Sequence, residues 1–485
     1  MSEGWISYDG GTARLSPILL TTSIVFLAFL VGAVIPVYVG AVGDGLARLM
    51  ALPALILLFF LFVLSRKTLL LVILFFRASA DLVLESSKLS VGGHQIGAGA
   101  LINAAVLAVA MLLVLEKPDF IPKRIITIMW AAFLFTAFYG MLIAPLKIDA
   151  IRTYLVLTSY LAIFVSAFYF VRTARDFGFC VRIVLWSSLI PALYALVDIA
   201  LNGHAVGLSE IRLQSTFTHP NIFAFYLTLI ISLALYMLKS SSFSRPAWKR
   251  AGLTAYILFL LSLLILTKTR SAWIACFAII LVYGLIFERR YLAYLVLVPI
   301  LALLIPSIRD RLLDLGTGNE YVQYAQLNSF AWRRMIWESG LKWMEPERYV
   351  LGYGIDSFKY YAPIFFPLAG NVNFGAHNVY VQWLFEVGTI GLLAYLWLFG
   401  RLLWLLRLMA PMDKLAAFVS IALIIEYLTI SFSDNMFSYL AFNWYFWFIL
   451  GAACAVVVVE KRRSKESQSP ATQSGRVEPN AEPQH

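Results

Sequence analysis

The sequence predicts an all-α, polytopic integral membrane protein with about 12 to 14 transmembrane helices. Hydrophobic residues make up 61% of the 485 residues, and charged residues only 13%. Apolar runs of about 20 residues recur along the whole chain, and a helix of that length crosses the hydrocarbon core of a bilayer. The basic residues lie at the ends of these runs, where they set the orientation of membrane proteins. The net charge of +11 is therefore interpreted as topological, and nucleic acid is not expected as a partner.

Fourteen apolar runs are candidates for membrane spans. In chain order they are 17–40, 46–64, 68–84, 97–115, 124–145, 152–171, 181–201, 219–238, 251–267, 271–287, 291–306, 377–399, 414–432 and 440–459. The first run is longer than a signal-peptide core and has no basic flank close before it, so it is expected to be a retained anchor. The third is interrupted by Arg77 and Asp81, which are four residues apart and are able to pair on one helix face. This run either crosses the bilayer or enters it and returns.

The basic residues favour cytoplasmic N- and C-termini. With this orientation every cytoplasmic connection holds at least two Lys or Arg, whereas the short connections on the opposite side hold scattered single residues or pairs. The chain then divides into the spans of 1–306, a periplasmic loop at 307–376 that contains helices, C-terminal spans at 377–459 and a polar tail at 460–485. The composition of the tail predicts disorder in the cytoplasm.

Three separate polar stretches share the non-cytoplasmic face in this orientation, and the first surrounds Arg212. The segment EIRLQSTFTHPNIFAFYL places Arg212 in a loop and His219 where the eighth span starts. The proline after His219 suits a first helical turn, and Asn221 suits a capping role.

The second stretch, ILTKTRSAWIACF, turns between two spans and leaves Lys268 and Arg270 at the membrane surface. Arginine is permanently charged and offers a planar fork of donors, which suits a diphosphate better than the point charge of lysine does. The structural alternative is that these arginines reach lipid headgroups or pair with carboxylates.

The third stretch is the long loop. From Phe330 to Met344, apolar residues and tryptophans predict an amphipathic helix that rests near the bilayer and carries Arg333 and Arg334. The sequence Leu-Gly-Tyr-Gly that follows, with Tyr353, predicts a tight turn close to substrate. By itself the loop is compatible with a lid, a binding wall or a surface helix.

His377 lies where the twelfth span begins, and Asn378 follows it. A histidine at this mouth is a near-neutral base that exchanges protons with water, although a lone histidine is more often structural. Glu386 lies nine residues further on, so it points to the opposite side of a helix and is not expected to orient His377. Glu386 and Glu426 are interpreted as buried polar contacts between helices.

The cysteines and the acidic residues predict no metal site and no disulfide. Cys180, Cys276 and Cys454 are far apart, and no Cys-x-x-Cys or Cys/His cluster accompanies them.

Four motifs together resemble the O-antigen ligase and polymerase superfamily. They are RLQSTFTHPNIFAFYL, LTKTRSAWIACF, WRRMIWESGLKW with LGYGIDSF, and AHNVYVQWLFEVGTIGLL, in this order between apolar spans. The resemblance covers residues 212–400 and implies a GT-C-like fold in the bacterial inner membrane. It further implies an inverting, metal-independent glycosyltransferase without a cofactor. Such an enzyme transfers a glycan from undecaprenyl pyrophosphate to an acceptor hydroxyl at the periplasmic face.

The resemblance also implies roles for individual residues. Arg212 and Arg270 would hold the donor diphosphate, and His377 would be the base. Either Arg333 or Arg334 matches the basic position of the loop motif, and the sequence does not choose between them. The further candidates for substrate contact are Tyr353, Asn378, His219 and Lys268.

The acceptor separates two activities. A polymerase would transfer the growing chain to the next lipid-linked repeat unit, and a ligase would transfer the glycan to a lipid A core sugar. The segment 75–103 resembles exopolysaccharide polymerases more than ligases and favours a polymerase. The expected partners are the lipid-linked glycan, membrane lipids, a flippase and a chain-length regulator.

A different class of protein is a lipid-linked oligosaccharide flippase or other transporter. It should show repeated halves and charges along a path through the membrane, but the sequence has no internal repeat and its polar residues gather at one face. A scaffold would leave the arginines and His377 without a purpose.

Overall fold

The computed structural model of the protein describes residues 57–86, 89–91, 94–206, 212–241, 246–303, 309, 313 and 328–467. The predicted spans 17–40 and 46–64, apart from the end of the second, lie outside these residues. So do most of the polar segment 309–328 and the last part of the tail, 468–485.

The described chain is helical, as the sequence predicts, with one short antiparallel hairpin. Residues 57–64 are helical and lead into the first part of the bundle. That part comprises α1 (Arg66–Phe76), α2 (Asp81–Ser86), β1 (Leu89–Val91), β2 (His94–Ile96), α3 (Ala98–Glu116), α4 (Lys123–Ile143), α5 (Lys147–Ala167), α6 (Asp176–Ser187) and α7 (Leu189–Val206). The hairpin pairs Leu89 with Ile96 and Val91 with His94.

The second part of the chain contains four helices before the polar loop and three after it. It comprises α8 (Pro220–Lys239), α9 (Ala247–Leu266), α10 (Arg270–Ile286), α11 (Arg290–Leu303), α12 (Ser329–Trp343), α13 (Arg348–Leu351), α14 (Ser357–Phe365), α15 (Val379–Leu406), α16 (Lys414–Ile430) and α17 (Leu440–Ser467). Helix α12 confirms the amphipathic helix predicted between Phe330 and Met344. Helix α17 continues to Ser467, past the predicted end of the last span at 459.

Eight helices of the described residues are long and apolar enough to cross a membrane. They are Gly99–Glu116, Lys123–Ile143, Lys147–Ala167, Asp176–Leu201, Pro220–Lys239, Ala247–Leu266, Val379–Met409 and Leu440–Lys465. The polytopic character of the chain is thus confirmed. The count of fourteen stays a prediction, because the start of the chain lies outside the described residues and several helices, such as α10, are shorter.

Helices α8 and α17 form the centre of the bundle. In each of them 94% of the apolar window is buried inside the protein, against 17% to 44% for the other candidate spans. Since lipid is as apolar as leucine, the outer helices expose large side chains such as Phe135 and Leu258 without penalty.

The third predicted run is broken into α1 and α2, with a turn between Phe76 and Asp81. These helices have 11 and 6 residues, so the longer one rises only about 16 Å and does not cross a bilayer alone. The expected pair is confirmed, because Arg77 Nη1 lies 2.9 Å from Asp81 Oδ1 and both residues are buried. Asp81 Oδ2 also accepts 3.3 Å hydrogen bonds from the backbone and hydroxyl of Thr218, so the pair is tied to the polar stretch around Arg212.

The glycine-containing turn of the polar loop packs against a break in α15. Gly388 has φ +72° inside that helix, and a Cβ there would lie 2.1 Å from the Val350 carbonyl oxygen. The break leaves carbonyl groups without helical partners, and the N–H groups of Tyr353 and Gly354 donate to Phe385 and Glu386 at 3.0 and 2.8 Å. The predicted turn is confirmed and fastens the loop to α15, while its closeness to substrate stays a prediction.

The two ends of α17 define two ends of the bundle. The helix has 28 residues and is therefore about 42 Å long. At its start, the Tyr439 hydroxyl donates to Asp434. At its far end, Arg462 and Arg463 donate to the carbonyl groups of Asp119 and Arg172. Both acceptors belong to connections that the charge pattern predicts to be cytoplasmic.

Candidate active site

Asn221 joins the polar stretches that the sequence singled out. Its buried Oδ1 accepts hydrogen bonds from Arg212 Nη2 at 2.7 Å and from the Thr269 hydroxyl at 3.2 Å. Its Nδ2 donates to Asp434 Oδ2 at 2.8 Å. The stretch that carries Arg212 and the stretch that carries Arg270 therefore meet on one amide, as their predicted shared face requires.

His219, and not Asn221, caps α8. His219 Nδ1 accepts a 3.1 Å hydrogen bond from the backbone N–H of Asn221, and Pro220 occupies the first helical position. The expected cap by Asn221 is wrong because the side chain of Asn221 points into the site.

The charged residues of the site shift the pKa of His219. Burial lowers the pKa of His219, and the charge of Arg212 lowers it further. His377 and Arg333 act in the same direction, while Asp434 opposes them. A lowered pKa keeps the imidazole neutral, which its role as a hydrogen-bond acceptor requires.

His377 lies beside a carboxylate that the sequence did not point to. Its Nδ1 is 3.9 Å from Asp434 Oδ1, which is an ion-pair distance and too long for a hydrogen bond. The side chain of His377 is 44% exposed, whereas that of Asp434 is 2% exposed. His377 is therefore partly open to solvent, and its Nδ1 atom faces a buried acid.

Hydrogen bonds to both carboxylate oxygens and to the backbone N–H hold Asp434 in place. Oδ2 accepts from Asn221, Oδ1 accepts from the Tyr439 hydroxyl at 2.5 Å, and its backbone N–H donates to Ile430. Burial and the nearby carboxylate raise the pKa of Tyr439 well above its ordinary value, so Tyr439 remains a donor. As the sequence predicts, Glu386 does not serve His377, because it is buried and accepts a hydrogen bond from Gln382 Nε2 at 2.8 Å.

Helix α12 of the polar loop covers the site. Arg270 Nη2 donates to the Ser329 hydroxyl at its first turn at 2.9 Å. Trp337 Nε1 donates to the Ala376 carbonyl, next to His377, at 2.6 Å. The Trp332 ring lies 6.2 Å from the imidazole of His377, centroid to centroid.

The structure separates the two arginines that the sequence could not. The side chain of Arg334 is 70% exposed and pairs with Glu338 at 2.7 Å along the outer face of α12. The charge of Arg333 instead acts to lower the pKa of His219 and of Tyr439, so its guanidinium lies within electrostatic range of both side chains. Arg333 is therefore the loop arginine that faces the site.

Three further candidates have structural roles in this conformation. Asn378 Oδ1 accepts from the Val381 N–H at 3.1 Å and caps α15. The Tyr353 hydroxyl accepts from the Glu345 N–H at 2.9 Å, and its ring stacks on Phe385. Lys268 occupies the turn before Arg270. Their contact with substrate stays a prediction.

Backbone strain gathers in the same three stretches. Among the described residues other than glycine, Ser215, Lys268, Asp356 and His377 have positive φ, at 54°, 52°, 62° and 49°. Ser215 and Lys268 belong to the stretches that carry Arg212 and Arg270, Asp356 belongs to the long loop, and the fourth residue is His377 itself. Each such conformation costs about 1 to 3 kcal/mol and persists where the surroundings impose it, typically at functional sites.

Within the described ranges, no group of three or more His, Cys, Asp or Glu side chains lies close enough together to hold a metal ion. Cys180, Cys276 and Cys454 are buried free thiols.

These features define a polytopic membrane protein with an arginine, histidine and carboxylate site at one end of its helix bundle. Residues 255–396 match the family described as O-antigen ligase. The match spans part of the chain and confirms its resemblance to the O-antigen ligase and polymerase superfamily. The match contains Arg270, α12 and His377, whereas Arg212 and Asp434 lie outside it. No curated protein matches the chain.

The family implies glycosyltransferase activity of the ligase or polymerase type in a membrane, with lipid-linked glycans as substrates.

Proposed function

We propose that this protein is a polysaccharide polymerase. It joins undecaprenyl pyrophosphate-linked repeat units at the periplasmic face of the bacterial inner membrane, in an inverting reaction that needs no metal ion. The observation that carries the proposal is the half-exposed His377, with its Nδ1 turned toward buried Asp434, on the face that also holds Arg212 and Arg333.

In the proposed reaction a sugar hydroxyl of the acceptor attacks the anomeric carbon of the donor. The Nε2 atom of His377 accepts the hydroxyl proton as the new bond forms, because Nδ1 faces Asp434. The bond between the anomeric carbon and the diphosphate oxygen breaks, and undecaprenyl diphosphate leaves with the bonding electrons. One direct displacement of this kind inverts the anomeric configuration.

Asp434 stabilises the imidazolium that forms on His377, as a buried acid does beside a catalytic histidine. Its other oxygen is fixed by Asn221, which also binds Arg212, so the base and the cationic side of the site share one hydrogen-bond network. A substrate that displaces Arg212 would therefore also shift Asn221, and through it the position of Asp434 beside His377.

Arg212, Arg270 and Arg333 take up the charge that develops on the leaving diphosphate. Fixed cations that point at a developing charge stabilise it, which is the role that a divalent metal has in other glycosyltransferases. Arg270 is anchored on Ser329, so α12 and the diphosphate site are fastened together.

The alternative candidate is an O-antigen ligase, which would use the same donor and base with a lipid A core sugar as acceptor. The description of the matched family favours it. The resemblance of the segment 75–103 to exopolysaccharide polymerases favours the polymerase. Helix α2 of this segment contacts the stretch around Arg212 through a 3.0 Å hydrogen bond from Leu82 N–H to the Thr216 carbonyl. A flippase would need charges along a membrane path, whereas Arg212, His377 and Asp434 gather at one end of the bundle.

The test is an assay of the purified protein with an undecaprenyl pyrophosphate-linked repeat unit as the only glycan, in EDTA, resolved on a gel. A ladder of longer lipid-linked products is expected. Product that appears only after lipid A core is added would replace the polymerase with the ligase. Product that requires an added divalent cation would overturn the metal-independent mechanism.

A further inference from the structure

A pocket lies at the end of the bundle opposite to His377. It has a volume of about 440 Å³ and is walled by α4, α15 and α17. Five basic residues line it, and none of its described lining residues is acidic: Arg124, Arg401, Lys461, Arg462 and Lys465.

The rest of the pocket is apolar. Ile125, Ile128 and Met129 of α4 face Leu405 of α15 and Val458 of α17. The pocket therefore has a cationic rim and an apolar wall, and the wall belongs to helices that are long enough to cross a membrane.

Arg401 is the most informative residue of the rim. Its Nε is buried, and within the described part of the chain it has no hydrogen-bond partner. Its guanidinium stacks over the rings of Trp404 at 4.7 Å and Trp397 at 5.5 Å. The aromatic rings position the cation without neutralising it, and the ammonium of Lys461 lies 5.9 Å from the same Trp404 ring.

We propose that this pocket binds the headgroup of an anionic phospholipid. The phosphodiester contacts Arg401 and Lys461, and an acyl chain lies along Ile128 and Leu405. Arginine forks and lysines bind phosphate oxygens, and basic pockets between transmembrane helices are suited to anionic headgroups. Inorganic phosphate would satisfy the rim but would leave the apolar wall uncovered. This proposal is independent of the glycosyl-transfer reaction proposed above.

The test is native mass spectrometry of the full-length protein, purified in detergent, with added phosphatidylglycerol or phosphatidylcholine. We expect bound phosphatidylglycerol on the wild-type protein at concentrations where phosphatidylcholine does not bind. Each removed charge near a phosphate weakens binding about fivefold, so Arg401→Gln with Lys461→Gln should weaken it roughly 25-fold. Equal retention of the two lipids would overturn the proposal.

Two further variants keep the test decisive. Lys461→Gln with Lys465→Gln changes only exposed side chains, so it tests the site even if removal of Arg401 unfolds the protein. Arg250→Gln is the matched control, because Arg250 is exposed in a connection with the same predicted cytoplasmic orientation but does not line the pocket. A loss with Arg250→Gln as large as with the lysine pair would refute a defined site. Displacement of the lipid by millimolar inorganic phosphate would identify free phosphate as the ligand and refute the lipid.

Discussion

Replacing Asp434 with asparagine removes the negative charge beside His377 and preserves the shape of the side chain. The amide retains an oxygen that accepts from Asn221 or Tyr439, the two side chains that hold the carboxylate. The variant should therefore fold and bind the donor, while the imidazolium that forms on His377 loses its counter-ion. We expect kcat to fall and KM to change little.

The magnitude follows from the separation of the two groups. Unit charges 3.9 Å apart attract by about 4 kcal/mol at an effective dielectric constant of 20. The histidine side chain is 44% exposed, so water screens this attraction, and roughly 2 kcal/mol is a reasonable remainder. That energy corresponds to a decrease of about 30-fold in kcat.

The assay is the initial rate of conversion of the lipid-linked donor by purified wild-type and Asp434→Asn proteins over a range of donor concentrations. Asp413→Asn is the matched control, because Asp413 also accepts from a tyrosine, Tyr236, at 3.0 Å and caps α16. Asparagine is also a good cap, so this control should keep its activity. An unchanged kcat for Asp434→Asn would refute the role of the carboxylate.

Three other predictions test Arg333 of the loop, the packing of the loop on Gly388, and the pKa of His219. Arg333→Ala should lower the rate of transfer about 100-fold through lost charge stabilisation, whereas Arg334→Ala, which removes an exposed cation, should change it little in the same assay. Gly388→Ala places a Cβ at φ +72° and 2.1 Å from a loop oxygen, so its thermal unfolding temperature should fall by several degrees, while Gly400→Ala, with open space around it, should not lower it. Because burial lowers the pKa of His219, protonation opposes folding below the ordinary value of about 6.5, and acidification from pH 7.5 to 5 should lower the unfolding temperature of the wild-type protein more than that of His219→Asn.

Each of these predictions has a result that would contradict it. Equal decreases in the rate of transfer for Arg333→Ala and Arg334→Ala would mean that Arg333 is not the one arginine of α12 that faces the site. A Gly388→Ala protein as stable as Gly400→Ala would mean that the loop does not pack on the break in α15. Equal acid sensitivity of the wild-type and His219→Asn proteins would remove the histidine from the pH response.

The helices were predictable because a helix that crosses a bilayer is apolar along about 20 residues, whether it packs against lipid or against other helices. Helices α4, α8 and α10 begin within one residue of their predicted starts at 124, 219 and 271. The break at Gly388 was not predictable, since glycine is common in transmembrane helices and only the loop packed against it reveals its φ of +72°.

The site was predictable in part. The charge pattern placed Arg212, Arg270 and His377 on one face, and the structure joins the two arginine stretches through Asn221. Asp434 was missed because it lies in a short connection outside every motif, and its proximity to His377 arises only when α16 and α17 pack beside α15. A carboxylate between two apolar spans was the available signal.

The choice between Arg333 and Arg334 was beyond the sequence for a geometric reason. Adjacent residues of a helix point about 100° apart, and which of them faces the site depends on how α12 docks. That docking is set by contacts far apart in the chain, such as Trp337 with Ala376 and Arg270 with Ser329.

The central claim is that His377 is the base of the transfer reaction. The most direct test measures turnover and binding of an undecaprenyl pyrophosphate-linked repeat unit by the purified His377→Ala protein. We predict that the variant binds the donor as the wild-type protein does, because the arginines remain. It should form no elongated lipid-linked product. Product formation at the wild-type rate would contradict the assignment and leave the pair with Asp434 as a structural contact.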